Sequence, residues 1–277
     1  MRLSANTTGK EVVLLKINKF RTILFVIIIC SIAGLSIYNN SVDQSPETTE
    51  AVYTGTYGSI NGITEQPTSE SANSGTYDIP QFNGDPFAIL NNNMPLFSEY
   101  STIEYEIYSE LDDLGRCGVA EANICPNLMP TEDRGEIGMV KPAGWHTIKY
   151  DCVDGKYLYN RCHLIGFQLA GENANEKNLI TGTRYLNVVG MLPFENEIAD
   201  YVHSTGNHVM DYVHSTGNHV MYRVTPVYTG DNLLCDGVIM EALSVEDRGE
   251  GVCFNVFCYN VQPGVQIDYA TGESTAE

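Results

Sequence analysis

The sequence predicts a domain of the α+β class, an antiparallel sheet with one main helix, and three observations lead to this prediction. The first is a set of apolar or alternating stretches typical of strands, at 220–228, 237–244 and 251–261. The second is a helical spacing of apolar residues in 193–205, where Pro193 suits the first turn and Gly206 the end. The third is a strand hairpin ahead of the helix.

The hairpin is predicted from two alternating stretches, 145–150 and 156–160, which flank Asp154 and Gly155. An Asp-Gly pair readily adopts the positive φ angles that a two-residue hairpin turn requires. The segment 160–187 shows little periodicity and is interpreted as a loop with short elements. We therefore expect the hairpin to lead directly into an irregular, polar part of the chain.

Composition and charge exclude several classes of protein. The chain has 277 residues, of which 43% are hydrophobic and 18% charged, so it can build a core and is not disordered throughout. Its formal net charge is −20, which argues against a protein that coats nucleic acid through bulk charge. An enzyme that meets phosphate through a metal ion and a few local cations is compatible with this charge.

The N-terminal part of the chain predicts export. Residues 22–38 form an uncharged apolar run behind a basic flank at 1–21, as in a signal peptide or a signal-anchor helix. We expect the remainder to lie outside the cell, either secreted after cleavage or anchored to the membrane by this helix if it is uncleaved. Residues 39–77 are rich in Ser, Thr and Glu and predict a disordered linker, which leaves 78–277 as the folded domain.

Two further features concern the folded domain. Residues 200–210 are repeated without change as 211–221. We expect one copy to complete the passage from helix to strand and the other to bulge out, and the sequence leaves open which copy does so. Seven cysteines follow residue 38, and in an exported protein this number favours some disulfides, with at least one thiol left unpaired.

The densest group of polar residues follows the hairpin and contains the parts that phosphodiester cleavage needs. A neutral histidine near pH 7 can deprotonate water, and His163 is the candidate. Mg²⁺ needs few protein oxygens, so the side-chain carbonyl of Asn187 can be its direct ligand. Arg161 offers a planar guanidinium for phosphate oxygens, and Glu195 offers a carboxylate near the start of the helix.

The stretches YNRCHLIG, GENANEKNLITGTRYLN and GMLPFEN resemble the DNA/RNA non-specific endonucleases of the ββα-metal type, in particular their streptodornase-like branch of exported bacterial DNases. In that family a strand ends in Asp-Arg-Gly-His, and this chain has Asn-Arg-Cys-His at 160–163. Asn178, Asn187 and Glu195 match the family series N-x8-N-x7-E in order and spacing. The resemblance extends from about residue 115 to about residue 272.

The resemblance implies roles for three of these residues in the reaction itself. His163 would be the general base, and Asn187 would be the direct ligand of Mg²⁺, for which Mn²⁺ can substitute. Glu195 would orient a water held by the metal. The implied products carry 5′-phosphate ends.

The resemblance implies supporting roles for three other residues. Arg161 and Asn178 would support the scissile phosphate or the geometry of the site. Arg184, placed near the motif, would contact the nucleic-acid backbone.

Two departures from the family pattern lie in the signature. Asn160 replaces Asp and Cys162 replaces Gly, and neither is interpreted as inactivating because both fit the streptodornase-like branch. The sequence thus predicts an exported, Mg²⁺-dependent, sequence-non-specific endonuclease acting on DNA, with RNA as a second substrate left open. The alternative is a catalytically impaired, surface-tethered nucleic-acid binding or uptake protein, since the duplication begins five residues after Glu195.

Overall fold

The computed structural model describes residues 78–206 and 217–277. The predicted signal or anchor helix at 22–38 and the predicted linker at 39–77 lie outside the described residues. Within the described ranges, no helix has both the length and the apolar character needed to cross a bilayer.

An antiparallel sheet of six strands forms the centre of the domain, as predicted for the α+β class. Its strands are β1 (Phe87–Ile89), β2 (Glu106–Tyr108), β3 (Ala120–Ile124), β6 (Val220–Val227), β7 (Gly237–Ser244) and β8 (Cys253–Tyr259). They are ordered β1-β8-β7-β6-β3-β2. The three predicted strand stretches are confirmed as β6, β7 and β8. A small ribbon of β9 (Val265–Ile267) and β10 (Ser274–Ala276) follows them.

A second layer covers one face of this sheet and carries the polar motif. It contains the antiparallel pair β4 (Tyr159–His163) and β5 (Leu179–Thr183), the short helix α1 (Phe167–Ala170), a π-helical turn (Leu186–Met191) and helix α2 (Leu192–Gly206). Buried side chains from both layers form a shared hydrophobic core, which includes Ile198 and Val202 of α2 and Tyr222 and Phe254 of the sheet. The core thus fixes β4 and the start of α2 against a common support.

Helix α2 confirms the predicted helix at 193–205. Ile198 and Val202 are four residues apart and both fully buried, so one face of the helix packs on the sheet while Asn196 and His203 are exposed. Pro193 is the second residue of the helix, where a missing amide hydrogen is tolerated. The π-helical turn before it was not predicted.

The predicted hairpin is confirmed next to its turn, but strand β4 beyond it has another partner. Strand β4 does not pair with 145–150 but with β5, in a register that joins Tyr159 to Thr183 and His163 to Leu179. Next to the turn, Lys149 and Tyr157 form an antiparallel bridge, the Tyr150 amide donates to the Lys156 carbonyl at 2.9 Å, and the Leu158 amide donates to the Ile148 carbonyl at 3.0 Å. The Asp-Gly pair does lie in a turn, but the turn spans 150–156. All five β5 residues are buried, so β5 offers β4 a complete, desolvated ladder.

The cysteines of the described ranges form no disulfide. Cys117, Cys125, Cys162, Cys235 and Cys258 are buried as thiols, and Cys152 and Cys253 are also free. The expectation of some disulfides is therefore wrong for this part of the chain. The buried thiols pack as small apolar side chains, for instance Cys258 against Met240.

The duplicated segment is divided between two elements. Tyr201 and Thr205 of the first copy lie on α2, whereas Val220 of the second copy begins β6. The two described ends meet: the Asn218 backbone amide donates to Thr205 Oγ1 at 3.3 Å, and Asn218 Nδ2 donates to the Tyr201 hydroxyl oxygen at 2.7 Å. Each copy thus supplies one end of the passage, and α2 is continuous through Gly206.

We expect excision of residues 207–217 to leave the fold intact. The excision joins Gly206 to Asn218 and produces the same sequence as removal of either copy. Because the two ends already lie within hydrogen-bond distance, the stability should change by less than about 1 kcal/mol. Urea unfolding of both lengths, followed by circular dichroism, measures the change, and a loss above about 2 kcal/mol would contradict this expectation.

Candidate active site

A cavity of about 230 Å³ lies between β4, α1 and the start of α2. It brings together three of the sequence-predicted site residues, His163 from the end of β4, Asn187 from the π-helical turn and Glu195 from the first turns of α2. The remaining lining residues are Arg134, Gly166, Phe167, Gln168 and Leu192. Residues 32 positions apart along the chain therefore line one cavity.

His163 is held as a neutral base. Its Nε2 lies 2.8 Å from the carbonyl oxygen of Asn173, which only accepts, so Nε2 carries the proton. Its Nδ1 lies 3.3 Å from Nη2 of Arg134, which only donates, so Nδ1 presents its lone pair. Burial, and then the Arg134 charge, lower the pKa of His163 to about 4. The imidazole is thus unprotonated at neutral pH, as a general base requires.

This lowered pKa predicts a loss of stability in acid that His163 itself causes. Between pH 6.5 and pH 4, His163 is protonated in the unfolded chain but remains neutral in the folded chain. The free energy of unfolding therefore falls as the pH falls through that window. The expected contribution between pH 7 and pH 4.5 is about 2 kcal/mol. Urea unfolding of His163→Gln should show a pH dependence weaker by this amount. His203→Gln, at an exposed histidine of α2, should match the unmodified protein.

Glu195 is a buried carboxyl at the cavity wall. It is 8% exposed, and burial raises its pKa to about 8, although a hydrogen bond from the Gly166 backbone and the Arg134 charge oppose that shift. A Cβ on residue 166 would lie 2.8 Å from the Glu195 carboxyl carbon, so any larger residue here would displace that carboxyl. The absence of a side chain at Gly166 therefore lets the carboxyl lie directly against the backbone that follows His163.

Asn187 is held by two residues of β4. Its Nδ2 donates to Asn160 Oδ1 at 3.2 Å, and Cys162 Sγ lies 3.1 Å from its Oδ1. Cys162 is fully buried, and burial raises its pKa well above the ordinary thiol value, so it stays a neutral thiol that can donate to that oxygen. A Cβ on Gly182 of β5 would lie 2.7 Å from the Cβ of Cys162, so the glycine makes room for it.

Three sequence-predicted residues do not line the cavity, and the first is Asn178. It is fully buried, its Oδ1 accepts from the Ile165 backbone amide at 2.8 Å, and its Nδ2 donates to the Ile165 carbonyl at 3.0 Å. This pair of hydrogen bonds fixes the backbone two residues after His163. The resemblance implied support of the scissile phosphate or of the site geometry for Asn178, and both roles stay predictions.

The other two are arginines committed to protein contacts. Arg161 donates to the carbonyl oxygens of Val140 and Gly138, and its guanidinium stacks over the Trp145 ring at 4.0 Å. Arg184 donates to Asp154 Oδ2 from Nε at 3.1 Å and from Nη2 at 2.9 Å. Both cations therefore brace the segment 138–154 against the β4–β5 pair, and their predicted contacts with nucleic acid stay predictions.

Arg134 is the site residue that sequence reasoning missed. It lies 29 residues before His163, outside the matched motifs, and yet it is the cation of the cavity. The available signal was its place as the first of the basic residues clustered in 134–184. That cluster does not distinguish Arg134, facing the cavity, from Arg161 and Arg184, which face protein.

The groups that line the cavity suit a hydrated divalent cation. Within 78–206 and 217–277, no three His, Cys, Asp or Glu side chains gather in a way that could hold a metal. The amides of Asn187 and Gln168 and the Glu195 carboxyl line the cavity, which has room for several waters. This set fits a hard cation that keeps most of its hydration shell, as Mg²⁺ does, and does not fit a zinc site of histidines and thiolates.

Comparisons with known proteins agree with this architecture. A family model described as DNA/RNA non-specific endonuclease matches residues 97–246. The NucA nuclease from Streptococcus agalactiae, solved with magnesium bound, is 25% identical with a TM-score of 0.61 over 73% of this chain and 91% of that chain. The same nuclease without metal gives 25% and 0.58 over 69% and 87%. The Sda1 nuclease, solved with zinc bound, shares the fold at 22% identity and a TM-score of 0.55 over 70% and 98%.

The fold and the site together define the class of this protein, which is a nuclease. The β4–β5 pair, the π-helical turn and α2 form the framework on which His163 and Asn187 face one cavity. More particularly, the chain belongs to the DNA/RNA non-specific endonuclease family, whose model spans more than half of its length. The family resemblance read from the sequence is thereby confirmed.

Proposed function

We propose that this nuclease is an exported, Mg²⁺-dependent endonuclease that hydrolyses the phosphodiester bonds of DNA without sequence specificity, with RNA as a second substrate to be tested. The observation that carries the proposal is the single cavity shared by His163, Asn187, Glu195 and Arg134. These four groups are a neutral base, an amide oxygen, a carboxyl and a cation. Phosphates carry no sequence information, so an enzyme that uses only these groups would cut any sequence.

His163 performs the proton transfer in this proposal. Its Nδ1 takes a proton from a water whose oxygen attacks phosphorus, while the hydrogen bond from Nε2 to the Asn173 carbonyl keeps the imidazole in the correct tautomer. The forming imidazolium is stabilised by that same carbonyl. Cleavage of the bond to the 3′ oxygen, implied by the family resemblance, leaves a 5′-phosphate.

The other three groups bind and orient. Arg134 is the cation within reach of both His163 and Glu195, and it can hold a phosphate oxygen with its guanidinium. Asn187 Oδ1 would hold Mg²⁺, for which Mn²⁺ can substitute, and Glu195 would orient a neighbouring water. When bound, the ion would neutralise charge on the phosphate and on the leaving oxygen. The magnesium bound to the NucA nuclease supports this choice of ion.

Export is the part of the proposal that rests on the sequence. The basic flank and apolar run at 1–38 support a signal peptide or an anchor helix, which would place the nuclease outside the cell or on its surface. Cell fractionation separates the two outcomes. A secreted form would appear in the medium shortened at its N-terminus, and an anchored form would sediment with membranes at full length.

Plasmid digestion by the full chain, purified in a mild detergent, tests the activity. We expect nicking and linearisation with Mg²⁺ or Mn²⁺ and none with EDTA, and we expect an increase in salt to slow the cleavage because phosphate contacts are screened. Structured RNA and single-stranded DNA are tested in parallel. Cleavage that is unaffected by EDTA would contradict the proposal.

The alternative, a catalytically impaired binding or uptake protein, has a distinct outcome in the same experiment. Such a protein would retard plasmid DNA in a gel without shortening it, with or without Mg²⁺. The duplication motivated this alternative, but α2 is continuous from Leu192 to Gly206 and carries Glu195 at the cavity. The described geometry therefore supports the enzyme over the binding protein.

A further inference from the structure

A line of polar contacts runs from the protein surface to the cavity. It begins at Asp154, which accepts from Arg184 at 2.9 Å, and continues as Arg184 Nη1 donates to Asn160 Oδ1 at 3.5 Å. The same Asn160 oxygen accepts from Asn187 Nδ2 at 3.2 Å. The line ends where Cys162 Sγ lies 3.1 Å from Asn187 Oδ1.

The direction of every bond in this line follows from its first member. A carboxylate only accepts and a guanidinium only donates, so Arg184 must face Asn160 with hydrogens. Asn160 must then turn its side-chain oxygen toward Arg184, because its amide nitrogen would place one hydrogen-bond donor against another. Asn187 must in turn present its nitrogen to Asn160. The oxygen of Asn187 is thereby turned toward Cys162.

We infer that Arg184 is a positioning residue, which acts through Asn160 to fix the end of the Asn187 amide that faces the cavity. The inference rests on the proposed function, in which Asn187 Oδ1 is the ligand of the divalent ion. An amide turned by 180° would offer the ion a nitrogen with two hydrogens and would not bind it. The apparent affinity for the ion is therefore proportional to the fraction of molecules in which the Asn187 oxygen faces the ion site.

The inference also explains the departure from the family signature at residue 160. An aspartate in that position accepts with either oxygen and needs no partner to orient it. An asparagine has two unlike ends, so it needs a donor that selects one of them. Arg184, held by Asp154, is that donor in this chain.

The test measures Mn²⁺ affinity by electron paramagnetic resonance, with no nucleic acid present. We expect Arg184→Met to weaken Mn²⁺ binding about 2- to 10-fold, as the correctly turned fraction drops from near one to between about one half and one tenth. Loss of a positive charge near a cation site would by itself strengthen binding, so the sign of the change discriminates between the two effects. Arg184→Lys keeps a donor-only cation and should stay within about 2-fold of the unmodified protein.

The decisive comparison repeats Arg184→Met in an Asn160→Asp background. An acceptor-only residue at 160 should orient Asn187 unaided, so Arg184→Met should then leave Mn²⁺ affinity unchanged or raise it. Lys156→Met is the matched control, since Lys156 is paired with Asp151 in the same turn and does not contact Asn160.

Each result bears on one claim. A Mn²⁺ affinity that Arg184→Met leaves unchanged, or changes equally in both backgrounds, overturns the positioning role while the proposed function stands. A Mn²⁺ affinity that Asn187→Ala leaves unchanged overturns the proposed metal ligand instead. The positioning role of Arg184 is established if Arg184→Met weakens Mn²⁺ binding when residue 160 is Asn and no longer weakens it when residue 160 is Asp.

Discussion

Substitution of His163 by alanine is expected to reduce the rate of plasmid cleavage about 10³-fold at pH 8 and saturating Mg²⁺. The neutral imidazole lines the cavity, its Nε2–H donates to the Asn173 carbonyl, and its unprotonated Nδ1, which contacts Arg134, is the atom that takes the proton from water. Alanine removes the base and leaves Arg134, Asn187 and the cavity wall in place. The loss should therefore fall on kcat, with little change in KM.

The measurement is single-turnover cleavage of a supercoiled plasmid, with DNA affinity followed separately by gel retardation. DNA affinity within about 3-fold of the unmodified protein would show that the substitution removed chemistry and not binding. His203→Ala serves as the control, because this exposed histidine of α2 lies outside the cavity. A His163→Ala variant that retains more than about a tenth of the cleavage rate would exclude His163 as the general base.

Substitution of Asn178 by alanine is expected to give the largest loss of stability, about 2–4 kcal/mol. Asn178 is fully buried and satisfies both the amide and the carbonyl of Ile165, at 2.8 and 3.0 Å. Alanine would leave both backbone groups buried without a partner. For a domain of this size the expected fall in Tm is about 5–12 °C.

Thermal unfolding followed by circular dichroism measures this loss, with Asn196→Ala as the matched control at an exposed asparagine of α2. Residual activity separates the two roles that the family resemblance allowed for Asn178. A purely geometric role predicts that kcat falls in step with the loss of order after His163. A Tm unchanged by Asn178→Ala, with cleavage abolished, would instead assign it to the phosphate.

The sequence predicted the parts of the fold whose signal is local. Strands β6, β7 and β8 carry long apolar stretches, and α2 carries helical spacing after Pro193, so each was identified. Strand β5 was missed because its Thr-Gly-Thr end reads as loop, although all five residues are buried. Strands β1 and β2 have three residues each, too few to show a period.

The residues of the candidate site show the same distinction between local sequence signals and tertiary contacts. His163, Asn187 and Glu195 were identified because they lie in motifs at fixed spacing, and the structure places all three at one cavity. Arg134 was missed because only tertiary folding brings it to His163. Arg184 was identified, but a sequence does not say which acceptor a cation meets, and Asp154 was not among the expected partners.

The meeting of Thr205 with Asn218 has a consequence for the gene as well as for the protein. Removal of the first copy and removal of the second give one and the same chain, so neither copy is the original in any structural sense. Tandem coding sequence is gained and lost when a polymerase slips during replication. Because the long and the short chain would close the same passage between α2 and β6, selection for folding would not resist either event, and both lengths are expected among natural variants of this gene.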